Sequence, residues 1–200
     1  FVKGVVDSSD LPLNVSREML QDDAIIAKIK SAVTSKILST LEDIKKDPER
    51  YNEFYASFGQ VLKEGVHVDW SNADRIKKLI KYPTARSDAG KTVFLEDYIK
   101  DMPSGQNEIY YIVASREEDA RSAPQLEAAR KHGCDVLLFC DPVDEFLTES
   151  LREFDGKKFV DVAKGDVSFG SEEEKRQEKE SNEKSTKELK GLLDAVKKEL

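Results

Sequence analysis

What this chain has little of sets the first limits on what it can be. Its 200 residues include two cysteines, two histidines, two methionines and one tryptophan. Cys134 and Cys140 flank one apolar run in a single predicted strand, and residues that close on a strand do not readily bridge. With only His132 nearby, the ligand count falls short of a structural zinc site. Both therefore read as buried free thiols of a reducing compartment, and the cytoplasm is the expected location. No apolar run approaches the roughly 20 residues of a membrane span, and no signal peptide precedes the first strand. Basic charge is also in deficit. Lys and Arg number 32 against 40 Asp and Glu, a net charge of −8. Nucleic-acid binding needs a clustered basic footprint, so no nucleic-acid partner is expected.

Catalytic machinery is missing as well. There is no glycine-rich phosphate loop of the Walker or dinucleotide type. His67 and His132 fall near helix ends with no nucleophile at a suggestive spacing, and surface positions account for both. The chain alone is not expected to be an enzyme.

What is present is strong periodicity. Ile25, Ile26, Ile29, Val33, Ile37, Leu41 and Ile44 form one stripe of a helix predicted from Asp23 to Lys46. Asp47 and Pro48 supply an N-cap and a first-turn proline for a second helix. Its inner face carries Tyr51, Phe54, Tyr55, Phe58, Val61 and Leu62, and Gly65 is its expected stop. At this spacing the aromatics read as core rather than as a binding surface. Ser71 and Asp74 suggest a capping box for a third helix bearing Ile76, Leu79 and Ile80. Trp70, just before it, reads as a hydrophobic staple or, if exposed, as a docking anchor. Three single-striped helices over residues 22–82 predict a bundle.

Beyond a polar boundary at 83–90 the pattern changes to alternating strand and helix over 91–165. Leu95–Lys100 reads as a helix, Ile109–Ala114 as a strand, and Ser115 with Glu118 as the cap of a helix ending near Gly133. Val136–Cys140 is the next strand, Asp141 and Pro142 open another helix, and a strand over Phe159–Val162 follows the Asp155-Gly156 turn. Such alternation predicts right-handed crossovers and a mostly parallel sheet in a small α/β/α unit. Residues 171–187 are a solvated Glu/Lys tract, and Leu189, Leu192, Leu193, Val196 and Leu200 restore a helical period. The expected fold is thus mixed α/β, a three-helix bundle followed by the α/β/α unit and a C-terminal helix. The chain lacks an initiator methionine and opens inside an apparent strand, Val2–Val6, which reads as a piece cut from a longer protein.

Two constellations invite chemistry. Asp141, Asp144 and Glu145 follow the carboxyl end of a predicted parallel strand, where open α/β sheets bind ligands. Helix capping explains the same acids without a ligand, and is the favoured account. Arg17 stands near a helix start, where the backbone dipole disfavours a cation unless an anion shares the site. Its planar fork suits phosphate, although a surface pair with Asp10 or Glu18 is the plainer reading.

A resemblance changes that balance. Phe-Val-Lys-Gly-Val-Val-Asp-Ser at the start, then Asp-Leu-Pro-Leu-Asn-Val-Ser-Arg-Glu-Met-Leu-Gln ending at Gln21, resembles the catalytic-loop segment of the heat-shock protein 90 chaperones. Further similar pieces follow in order: Phe-Gly-Gln-Val-Leu-Lys-Glu-Gly (58–65), Leu-Glu-Asp-Tyr-Ile (95–99), Ile-Tyr-Tyr-Ile (109–112), Asp-Pro-Val-Asp-Glu (141–145) and Leu-Arg-Glu-Phe-Asp-Gly-Lys (151–157). They cover about residues 1–165, with a bacterial HtpG-like flavour and a mitochondrial paralogue as the alternative. The resemblance implies a middle-domain segment: 1–21 would end a larger α/β unit and carry the catalytic loop, and 171–200 would begin the C-terminal dimerisation domain. It implies that Arg17 reaches the γ-phosphate of ATP, held with magnesium by an N-terminal domain outside this chain, and that Gln21 helps contact that region. Asn14 and Ser16 could shape the loop. Implied partners are that ATPase domain, partly folded client proteins and a second copy joined through the C-terminal domain. Two rivals need no catalysis, namely a protein-docking scaffold and a coiled-coil assembly protein built on 171–200.

Overall fold

The computed structural model describes residues 2–5, 23–164, 167, 169 and 176. The chain divides into two compact units, Phe1–Leu62 and Lys63–Leu200.

In the first unit, α1 (Asp23–Ile44) leads through a short turn into α2 (Pro48–Val68), which continues into the second unit. The predicted start of α2 is realised: the Asp47 carboxylate accepts from the Arg50 backbone N–H at 3.3 Å, and Pro48 fills the first helical position. Leu38, Leu41, Tyr51 and Leu62 are buried, whereas Ile26, Val33 and Val61 from the expected stripes are exposed. Of the aromatic stripe only Tyr51 is fully buried, with Phe54 and Tyr55 tilted or stacked against it at centroid distances of 5.9 and 6.0 Å. Residues 2–5, expected as strand, lie outside every strand, since among the described residues none pairs with them.

The second unit is built on a four-stranded sheet of order β4-β3-β6-β5. It begins with the last turns of α2, then α3 (Ala73–Lys77) and an antiparallel pair, β1 (Lys81–Pro83) and β2 (Thr92–Phe94). After α4 (Leu95–Lys100), strand β3 (Glu108–Val113) runs parallel to β4 (Leu137–Phe139) and to β6 (Lys157–Asp161). Helices α5 (Glu117–Arg121) and α6 (Gln125–Lys131) connect β3 to β4, and α7 (Pro142–Ser150) leads to β5 (Glu153–Phe154) and its partner β6. The mostly parallel sheet is as expected. Side chains alternate along β3, so Tyr110 and Ile112 join Ala120, Leu126, Ala129 and Phe169 in one core. Tyr111 on the opposite face stacks on Phe139, which in turn stacks on Tyr82.

Several expectations need correction. Gly65 does not stop α2, which runs on to Val68; a Cβ there would lie 3.2 Å from Ile76 Cδ1, so the glycine serves close packing. Residues 22–82 do contain three helices, but α3 belongs to the second unit and the stretch ends in β1. Neither predicted capping box forms. Asn72 and Arg116 occupy the N-cap positions of α3 and α5. Asp74 pairs with Lys77 at 3.1 Å, and Arg116 forks onto Asp119 with two 2.9 Å bonds. The single helix expected up to Gly133 is two, α5 and α6, divided before Pro124, which lacks an N–H and disfavours helical backbone in the residue ahead of it. Strands β1 and β2 were not expected. The helix expected over 189–200 lies outside the described residues.

Candidate functional site

Arg17, Gln21, Asn14 and Ser16 all lie outside the described residues. Of the other residues weighed in the sequence, Asp141 and Asp144 are brought together, and by a partner the sequence did not reveal.

That partner is Lys63. Its side chain is 2% exposed, and the ammonium lies 2.6 Å from Asp141 Oδ2 and 2.9 Å from Asp144 Oδ1. The same nitrogen sits 4.0 Å from the centroid of the Tyr82 ring. Two carboxylates and one π-face thus surround the three ammonium N–H groups. Asp144 is wholly buried, and burial pushes its carboxyl above the usual range against the pull of Lys63. Its Oδ2 also accepts the backbone N–H of Asp141 at 2.9 Å, closing the start of α7. Two runs that carry the resemblance, 58–65 and 141–145, meet here across 78 residues of sequence.

The ligand reading of these acids fares poorly. A cavity of about 380 Å³ does open at the carboxyl ends of β3 and β4, lined among others by Ser115, Cys140, Asp141 and Glu145. Asp141 and Asp144 are instead committed to Lys63 and to the cap. Cys140 is a half-buried free thiol, and Cys134 a buried one. Burial, with Asp144 and Glu117 nearby, raises the Cys140 thiol to about 11, which makes it a poor nucleophile at neutral pH. Among the described residues, no group of three or more His, Cys, Asp or Glu is placed to hold a metal ion.

The surface beside this cluster is apolar in places. Trp70 is 76% exposed and is therefore not a staple, and Phe146 on α7 is 69% exposed. His67 Nδ1 lies 2.7 Å from Ser150 Oγ, four residues beyond Phe146 on α7, and its ring centroid is 6.5 Å from that of Trp70. Lys63 and His67, one turn apart on α2, therefore hold the first and last turns of α7 respectively. His132 caps α6 on the surface. Phe146 was missed because a lone phenylalanine in a short helix reads as core. Lys63 could have been suspected, since it falls on the buried stripe with Leu62 and Val66.

Comparison with known proteins adds whole-chain information. A sequence model of the Hsp90 protein family matches residues 1–200. The chaperone protein HtpG of Geobacter sulfurreducens is 47% identical over 201 residues, covering 100% of this chain and 31% of that protein. HtpG of Francisella tularensis subsp. novicida is 50% identical over 189 residues, covering 94% of this chain and 30% of that protein. This chain therefore spans about a third of the length of the curated relatives it matches. Among solved structures, the middle domain of a Plasmodium falciparum heat shock protein superposes with a TM-score of 0.68 at 29% identity, covering 72% of this chain and 61% of that one.

Proposed function

Because this chain belongs to the Hsp90 protein family, we propose that it is the middle segment of an ATP-dependent chaperone and lends Arg17 to a nucleotide held by a separate N-terminal domain. The observation that carries this reading is the unbroken run from Asp10 to Gln21 inside a family match that spans the whole chain. The sequence has no phosphate loop, and the proposal assigns ATP and magnesium to the separate N-terminal domain. This chain's contribution is a guanidinium, with Gln21 supporting the loop that bears it. Such a cation stabilises charge that develops on a transferring phosphoryl group, and it does so only when the two domains dock. Partly folded client proteins would meet the surface around Trp70 and Phe146. Dimerisation through a C-terminal domain and residence in the cytoplasm complete the proposal.

The test is steady-state ATP hydrolysis by the full-length protein and its Arg17→Ala and Gln21→Ala variants. Arg17→Ala should lower kcat by about 10²-fold or more, the scale for removing one donor aimed at transition-state charge, while ATP affinity changes little. Weakened ATP affinity at unchanged kcat would assign the arginine to ground-state binding instead. Turnover and affinity both unchanged would leave a docking scaffold, the reading that exposed Trp70 and Phe146 favour on their own.

A further inference from the structure

Strand β5 is the outermost strand of the four-stranded sheet, and it borders a groove of about 780 Å³. The register shows which backbone groups face that groove. Phe154 pairs with Lys157 beside the turn, Glu153 with Lys158, and the Phe159 N–H donates to the Arg152 carbonyl at 3.1 Å. In an antiparallel ladder, hydrogen-bonded and non-bonded pairs alternate, so Arg152 and Phe154 point toward β6 while Glu153 points away from it. An independent contact agrees. The Glu153 carbonyl accepts from Lys77 Nζ at 3.1 Å, from across the groove. Lys77 is nine-tenths buried, and its other bond is to Asp74 at 3.1 Å. A lysine ammonium thus stands where the N–H of a further strand would bond.

We propose that this groove accepts one extended segment of polypeptide, which adds to β5 as an outer strand and displaces Lys77 from the Glu153 carbonyl. The lining favours such an occupant over an apolar small molecule. Lys77, Lys78 and Arg152 line the groove together with Asp74, Glu96 and Glu153, and Phe154 is the one apolar residue in that lining. A main chain with charged side chains of both signs fits such a lining, the main chain giving affinity and the flanking charges selectivity. While the groove is empty, Lys77 protects the edge from indiscriminate pairing, as lysines on edge strands do. The proposal extends the chaperone reading to a second polypeptide contact, distinct from Trp70 and Phe146, and does not depend on Arg17.

The experiment is fluorescence anisotropy of the full chain with a labelled, capped heptapeptide of sequence Lys-Val-Glu-Val-Lys-Val-Glu. Two further peptides carry N-methyl groups on the odd or on the even backbone nitrogens. Saturable binding is expected, weakened at least tenfold by methylation in one register and little changed in the other. Lys77→Met should tighten binding several-fold, because the competing ammonium is gone. Glu153→Pro should abolish binding while the β5–β6 ladder persists, since the N–H it removes points away from β6. Equal binding of the three peptides, no binding at millimolar concentration, or an affinity indifferent to Lys77→Met overturns the proposal. Melting curves confirm that each variant is folded. ATP turnover of full-length Arg17→Ala, measured separately, decides the Proposed function whatever the peptides do.

Discussion

At the scale of single residues, the Lys63 cluster is the clearest instance of physics that the chain order hides. A lysine in a helical stripe is ordinarily a solvated residue with its stem laid along the surface. Here the head is buried too, and two acids 78 and 81 residues away, with the face of the Tyr82 ring, make that tolerable. Removing one partner of a buried pair leaves the other charge uncompensated, at a cost of about 3–5 kcal/mol. Lys63→Met should therefore lower stability by roughly that amount in urea denaturation. Lys63→Met with Asp144→Leu should recover most of the loss, because apolar replacement of a whole buried pair is often close to neutral. Asp141 is already 39% exposed, so water can solvate its carboxylate once Lys63 is gone. No recovery would show that the acids serve mainly as the cap of α7. The same acids govern Cys140. Burial, then Asp144 and Glu117, raise its thiol from 9.0 to about 11, with Lys63 pulling the other way. Only the thiolate is alkylated, so iodoacetamide labelling of Cys140, followed peptide by peptide in a mass spectrometer, should be slow at pH 8 and climb toward a midpoint near 11. Asp144→Asn removes the negative charge that acts most strongly on the thiol and should shift that midpoint down.

At the scale of elements, the sequence was most legible where a local device sets the boundary. Asp47-Pro48 and Asp141-Pro142 both start helices as expected, because an N-cap and a first-turn proline act within a few residues. It was least legible where tertiary contacts decide. Gly65 looks like a stop in sequence and is a packing position in space, because Ile76 arrives from another helix. Strands β1 and β2 are three residues each, too short to show a period, and exist because they pair with one another. The Asp155-Gly156 turn was visible, and its form explains its sequence. Both residues have positive φ, 51° and 72°, as a two-residue type I′ hairpin requires. Nothing lies within 4 Å of a Cβ placed on Gly156, so substitution there meets no clash and only backbone strain. Gly156→Ala should cost about 1–2 kcal/mol by thermal melting, the penalty of a left-handed conformation for a residue with a Cβ. Asp155→Asn, equally suited to positive φ, should be neutral.

At the scale of the whole molecule, this chain spans about a third of the length of its curated relatives, and the role proposed for Arg17 is one expressed through a domain it docks against. The described fold shows why family resemblance told more than residue chemistry. Its buried Lys63 and Asp144 are committed to one another and to Asp141, Cys134 is buried, and burial holds the Cys140 thiol protonated at neutral pH. The one residue assigned a reactive role, Arg17, belongs to a run legible only as a pattern, since periodicity and spacing carry no information about a phosphate outside the chain. This difference supplies a test at the right scale. If the chain contributes a guanidinium to a site completed elsewhere, adding it in trans to a separately prepared N-terminal ATPase domain of the same protein should raise hydrolysis in a saturable way. Arg17→Ala should bind that domain with unchanged affinity in a pull-down or titration yet fail to stimulate, because the loss falls on the reacting state alone. Lys63→Met, whose effect is confined to stability, should stimulate normally at temperatures where it remains folded. If Arg17→Ala stimulates as well as the parent chain, the acceleration comes from docking itself, and the arginine is an ordinary surface charge paired with Asp10 or Glu18.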